Sequence, residues 1–283
     1  MGRSVARAQV MCDGQCIALA QIVQKTFRPF GTVGLLSRGP IWTTHVDDET
    51  KAQALRKLRE TMPGCGFRVL LNSPETDAPG QMPLYSACSV AEIDLHTDQS
   101  VMRQRLHGKW RNALRRAESS GLRVVATRNP QTLVQLIDRD GAQQRAQRYR
   151  NYPPAFFAHW VKQDPSSFVI YRAMLGGDSV AEMLFLDHAP GVTYQIGWTA
   201  GAGRTFAAHN LLLWNAIVDY AKAGRTRLDL GQIDTVNAPG LARFKLGTGA
   251  RSRTLGPTGL VLPKMPDLRR SHGSRSTSTG TAA

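Results

Sequence analysis

The sequence predicts an α/β fold made of two related halves, and three observations carry that reading. The composition, 42% hydrophobic with 26 Gly and 15 Pro in 283 residues, is that of a mixed globular chain long enough to bury a sizeable core. Strand-like runs bounded by turn residues alternate with amphipathic helical stretches along most of the length. An order of strand, turn, helix, Gly and strand occurs twice at nearly equal length, from Gly31 to Gly66 and from Gly191 to Gly224, which points to an internal duplication.

The elements follow in order. Alternation through Ala8-Gln9-Val10-Met11, the Asp13-Gly14 turn pair and an apolar run from Cys16 to Val23 predict a β-hairpin close to the start. A strand at 32–36 and a turn at Arg38-Gly39-Pro40 lead to a helix near 49–61, which the breakers Pro63, Gly64 and Gly66 end before a strand at 67–71. Residues 100–120 read as one amphipathic helix closed by Gly121. Met102, Leu106, Trp110, Ala113, Leu114 and Ala117 share one arc of it, and Arg105, Lys109, Arg111, Arg115 and Arg116 the other. A helix at 133–150, a new segment from Pro153-Pro154 to Trp160, and paired strands at 168–174 and 180–186 about Gly176-Gly177 come next. The second copy of the repeat then supplies a strand at 192–196, a glycine loop at 201–203, a helix at 205–223 and a strand at 226–230. Beyond Leu262 the residues are mostly Lys, Arg, Ser, Thr and Gly, which predicts a disordered tail. The expected division is 1–98, 99–262 and a tail over 263–283.

The net charge of +15 is local rather than general. Residues 1–98 hold ten Lys or Arg against ten Asp or Glu, whereas residues 99–163 hold thirteen against three. A patch of this kind attracts polyanions such as nucleic acid, nucleotide phosphates or acidic lipid, with an affinity that falls as salt rises. Cys12, Cys16, Cys65 and Cys88 form no paired spacing of a zinc or disulfide framework, so they are read as small buried hydrophobes and no metal is expected. Neither a leader pattern nor an apolar run of about 18 residues occurs. A cytoplasmic protein without a transmembrane segment is expected.

Three motifs bear on chemistry. Gly201-Ala202-Gly203-Arg204, between a strand and a helix, stands where backbone N–H groups and the helix dipole favour an anion, or where the chain simply turns tightly. Lys109-Trp110-Arg111-Asn112, followed by Arg115 and Arg116, sets guanidinium groups along one helix in a form that suits phosphate or carboxylate. Leu228-Asp229-Leu230-Gly231 and the later run from Gly240 to Gly247 join a carboxylate at a strand end to the basic pair Arg243 and Lys245.

At these residues the chain resembles a known family. "LHGKWRNALRRAESSGLRV" is similar to a basic helix with Asn that precedes a Gly and a strand in FemAB-like members of the GNAT superfamily. "AHNLLLWNAIVDYAKAGRTRLDLGQID" and "GLARFKLGTGA" resemble the next two family blocks, and "SRGPIW" at Arg38 a strand-end feature. The resemblance spans most of 16–262 and implies two GNAT-like halves with mixed, mostly antiparallel sheets, transferring an acyl group to an amine. It implies acyl-coenzyme A or aminoacyl-tRNA as co-substrate, no tightly bound cofactor, and an amine-bearing acceptor such as a peptidoglycan precursor.

Carried over by motif, Lys245 would hold the donor and stabilise the oxyanion of the tetrahedral intermediate, and Asp229 would orient the attacking amine or take its proton. Lys109, Arg111, Asn112, Arg115, Gly201, Gly203, Arg204, His209, Asn210, Arg243 and Arg38 complete the expected binding set, although packing is the plainer reading of His209 and Tyr194. Family members carry a further N-terminal segment, so a trimmed start with an exposed sheet edge is expected. The competing reading is a non-catalytic RNA-binding protein, with Trp110, Tyr149 and Tyr152 interleaved among arginines, or a protein that docks on acidic membrane through the same patch.

Overall fold

A computed structural model describes residues 3–64 and 66–263. The predicted tail, apart from Pro263, and the reading of Cys65 lie outside the described residues. The chain forms two compact units, one from residues up to Ala87 together with those from Gly256 onward, the other Cys88–Leu255.

The first unit is a sheet built from β1 (Ser4–Cys12), β2 (Gln15–Phe27), β3 (Gly31–Ser37), β4 (Ile41–Trp42), β5 (Phe67–Ser73), β6 (Gln81–Tyr85) and the last strand of the chain, β14 (Thr258–Val261). Its order is β1-β2-β3-β5-β14-β6, with β4 paired to β2. Asp13 and Gly14 both take positive φ, as a two-residue hairpin turn between twisted strands requires. Helix α1 (Asp48–Glu60) starts where the Asp47 side chain accepts the Thr50 N–H at 2.9 Å, and it ends with Lys57 and Arg59 in its last turn. It buries Leu55 and Leu58 with Ile22, Leu36 and Leu70 of the sheet. Through this helix β3 crosses to β5, and the two pair in parallel over all seven residues, from Gly31 opposite Phe67 to Ser37 opposite Ser73.

The second unit contains β7 (Ser89–Asp94), α2 (Gln99–Arg105), α3 (Gly108–Glu118), β8 (Arg123–Thr127), α4 (Pro130–Gln147), α5 (Pro154–Gln163), β9 (Phe168–Leu175), β10 (Asp178–Asp187), β11 (Gly191–Thr199), α6 (Gly201–Thr205), α7 (Ala208–Lys222), β12 (Arg227–Ile233), α8 (Pro239–Leu246) and β13 (Arg251–Thr254). Its sheet has the order β13-β7-β12-β11-β10-β9-β8. Strand β10 is apolar on both faces, so alternate residues serve different cores. Met183 and Phe185 pack with α7 residues Leu212, Ala216 and Ile217. Leu184 and Leu186 pack with Leu136 of α4 and Phe157 of α5.

Both units therefore set one parallel strand-helix-strand crossover, β3-α1-β5 and β11-α7-β12, among antiparallel neighbours. The division differs from the one read off the sequence. Residues 89–94 pair with β12 and β13 of the second sheet, and residues 258–261 pair with β5 and β6 of the first. These short strands owe their place to long-range partners and carry little local pattern.

Two predicted elements also differ. The helix at 100–120 is two helices, because Leu106 and His107 are extended. The His107 N–H donates to Gly247 O at 2.9 Å, and Arg111 Nη2 caps the carbonyls of Gln104 and Leu106 at 3.2 and 2.8 Å. Arg111 thus seals the break instead of joining the cationic face. Residues 201–203 are not a loop but the start of α6, after which Ala207 takes a left-handed conformation and α7 begins at Ala208. Gly203 lies so close to the backbone of Val180 and the hydroxyl of Thr199 that a Cβ would collide with both.

Candidate functional site

The parallel pair β11/β12 does not stay together as β3/β5 does. Pairing is confined to Gly191 opposite Arg227, Val192 opposite Leu228 and Thr193 opposite Asp229. Each strand then bends away at an irregularity in its other pairing. Against β10, the register of β11 passes from Tyr194 to Ile196 and leaves Gln195 over. Against β7, the register of β12 passes from Asp229 to Gln232 and leaves out Leu230 and Gly231. Extra residues of this kind bend and twist a strand. Past Thr193, β11 has no strand partner on its β12 side among the described residues.

Asp229 and Lys245, predicted as the reacting pair, meet at the bend of β12. Asp229 Oδ1 accepts the Gly231 N–H at 2.7 Å, and Gly231 supplies the positive φ that the turn demands. Lys245, on the last turn of α8, is buried and donates from Nζ to Gln232 O at 2.8 Å. An ammonium has three donors, so this bond leaves others to spare. Burial lowers the Lys245 pKa to about 8, and the nearby Asp229 carboxylate opposes the shift.

The sign of the resulting pH dependence follows from linkage. Between about 8 in the fold and the ordinary value of 10.5, the unfolded chain carries the additional proton, so stability rises with pH through that window. Urea denaturation from pH 7 to 10.5 is expected to show this rise, and Lys245→Met is expected to remove it.

Helix α7 packs against β11, and α8 against β12. His209 Nε2 donates to Trp198 O at 2.9 Å. Burial lowers the pKa of that imidazole, against the pull of the Trp198 carbonyl. The His209 ring lies 6.3 Å from that of Phe244, which in turn lies 6.1 Å from Trp110. Trp110 is buried and donates to Phe244 O at 3.1 Å, so it offers no free stacking face to RNA. Tyr194 packs over Gly197, where a Cβ would collide with its hydroxyl, and burial pushes its phenol pKa up.

The other predicted residues are dispersed. Asn210 is in the first turn of α7, next to His209, whereas Arg243 is exposed on α8 and parts from Lys245. Gly201 and Arg204 are exposed on the short helix α6. Lys109, Asn112, Arg115 and Arg116 are exposed along α3. Arg38 belongs to the first unit, where it has φ 57°, pairs with Glu75 at 3.0 Å and borders a mostly apolar cavity of about 480 Å³ with Arg7, Leu19 and Ile41.

Besides Glu92 of β7, two buried carboxylates stand outside the expected site set. Glu182 of β10, 1% exposed, pairs with Arg172 and Arg139, each at 2.9 Å. Asp140 of α4 is also buried and accepts the Tyr149 hydroxyl at 2.6 Å. A lone acid inside the apolar run from Val180 to Leu186 was the available signal for the first. For Asp140, in a polar helix segment, there was none.

A family model described as an acetyltransferase (GNAT) domain matches residues 103–248, more than half of the chain and all of it in the second unit. No curated protein matches. Among solved structures the chain is similar to FemX, at 13% identity over 92% of this chain and 88% of that one, with a TM-score of 0.70. It is also similar to the C-terminal domain of a putative lysylphosphatidylglycerol synthetase from Agrobacterium fabrum, at 12% identity over 90% and 84% of the two chains and a TM-score of 0.54. A third likeness is to a conserved protein of unknown function from Bacteroides thetaiotaomicron, at 8% identity over 89% and 86% and a TM-score of 0.55. With the family model matched over the unit that holds the opened strand pair, the chain belongs to the acetyltransferase (GNAT) domain family and is an acyltransferase of that type.

Proposed function

We propose that the second unit transfers an acyl or aminoacyl group from an activated anionic donor to an amine, with the reacting carbonyl in the opening between β11 and β12. The observation that carries this is the contrast between the two crossovers. In the first unit the parallel strands are zipped over seven residues, and in the second they part after three. Freed backbone groups along β11 suit an extended donor arm, and Lys245 stands at the bend with spare N–H donors.

In the reaction the acceptor nitrogen attacks the donor carbonyl carbon, forming a C–N bond and a tetrahedral oxyanion. Collapse breaks the C–O bond of an aminoacyl ester or the C–S bond of a thioester, and the proton lost by nitrogen ends on the leaving oxygen or sulfur. Lys245 would donate to the oxyanion while Asp229 holds the bend in shape. No helix among the described residues is long and apolar enough to cross a membrane.

Between the two donors, the exposed row Lys109, Arg115 and Arg116 favours aminoacyl-tRNA, since it offers more cationic length than one pyrophosphate occupies. A peptidoglycan precursor is the acceptor that the FemAB-like resemblance favours. Binding of mixed aminoacylated tRNA and of acetyl-coenzyme A, each at two salt concentrations, tests the choice. Tight, salt-sensitive tRNA binding supports it, while coenzyme A binding with little tRNA affinity assigns the donor to acyl-coenzyme A. Replacing Lys109, Arg115 and Arg116 together by Ala is expected to weaken tRNA binding and to reduce the slope of log affinity against log salt by roughly two. Acetyl-coenzyme A binding should change little.

A further inference from the structure

A cavity of about 360 Å³ in the second unit is bounded by α4 and the link from α4 to α5. Asp140, Gln144, Arg145, Tyr149, Asn151 and Tyr152 are among the residues around it. Asp140 is 3% exposed, and every hydrogen bond to it comes from a neutral donor. Tyr149 donates to Oδ1 at 2.6 Å, and Gln144 and Asn151 donate to Oδ2 at 2.8 and 3.1 Å. Burial, and then the bond to Asp140, push the Tyr149 phenol pKa up, so it remains a donor. Arg145, five residues along the same helix, is exposed at the cavity wall. Among the described residues neither Asp140 nor Arg145 is in an ion pair, with each other or with any other group.

A buried carboxylate is ordinarily matched by a cation, and a carboxylate offers about four acceptor sites, of which three are filled here. Arg presents a planar fork that fits a carboxylate at two points. Asp140 and Arg145 thus set a negative and a positive group on the wall of one cavity.

We propose that this cavity binds a zwitterionic amino compound, an amino acid or a dipeptide, with its ammonium on Asp140 and its carboxylate on Arg145. Tyr149 and the side chain of Ile137 would meet its carbon skeleton. Asn151 links this cavity to the proposed reaction site. It exchanges hydrogen bonds with Gln195, the residue left over at the bend of β11, donating to its carbonyl at 3.4 Å and accepting from its Nε2 at 2.7 Å. Given the acyl-transfer reading, on which this step rests, the ligand is an acceptor whose attacking nitrogen is a second amine, because the ammonium held by Asp140 has no lone pair to offer; no bond is made in this cavity.

The test is titration of the full chain with free amino acids and with alanyl-alanine, each compared with its N-acetyl and carboxamide forms, by calorimetry and ligand-observed NMR. Blocking either end is expected to weaken binding at least tenfold. Asp140→Asn should remove the penalty for N-acetylation, and Arg145→Gln the penalty for amidation. Because Arg145 is exposed, its variant stays folded even where Asp140→Asn does not, so the acid-to-amide ratio decides the matter. Equal binding of free and blocked forms, or no binding by about 10 mM, overturns the proposal. Zwitterion binding by a protein that uses neither donor overturns the acyl-transfer reading alone. Turnover on amines lacking a carboxylate, unchanged in Arg145→Gln, overturns this site alone.

Discussion

Lys245→Ala is expected to lower single-turnover acyl transfer by about 10²–10³-fold, the range for loss of one donor to a developing oxyanion. The wild-type rate should fall as pH rises past about 8, where Lys245 gives up its proton. Lys245→Arg, charged at every accessible pH, should flatten that limb even if its bulk slows the reaction. The alternative is that Lys245 does no more than hold Gln232 O and the bend of β12. In that case Lys245→Met, which keeps most of the volume, would retain a rate within about threefold of wild type at pH 7, while the urea midpoint alone moves. That outcome would take Lys245 out of the mechanism and leave it a structural residue.

The second large effect concerns stability. Glu182→Ala should cost about 3–5 kcal/mol, because it strands cations that a buried carboxylate now holds. One oxygen of Glu182 accepts Arg172 Nε at 2.9 Å and the Ser179 hydroxyl at 2.8 Å, and the other faces Arg139 at 2.9 Å. Arg139 also lies 4.2 Å from the centre of the Trp198 ring, and Trp198 O holds His209. Glu182→Gln keeps the shape and should cost less. Equilibrium urea unfolding measures both, and a loss below about 1 kcal/mol for the alanine variant would mean that the arginines find water readily.

How far such features could be read from the sequence depends on the range over which they are encoded. The β1-β2 hairpin and the crossover repeat are local, since Asp13-Gly14 and the glycines that close each helix leave their mark within a few residues. The parting of β11 from β12 is a matter of register with β10 and β7, which no window along the chain contains. Arg111 was misplaced because a helical wheel presumes an unbroken helix, and the break at Leu106 leaves the buried arc intact on both sides. Lys245 and Asp229 were found as a pair by motif. What motif does not convey is that one is buried, that the other turns back on Gly231, and that Arg243 beside them is exposed.

Strand β14 joins the first sheet between β5 and β6 only after the whole second unit has been traversed. During synthesis the first sheet must therefore wait with an inner place vacant while the intervening residues emerge, roughly ten to thirty seconds at ordinary rates of elongation. The second unit is continuous in the chain and has no such delay. The part made first is the part finished last, and its open strand edges are what a ribosome-associated chaperone would have to shield in the interval.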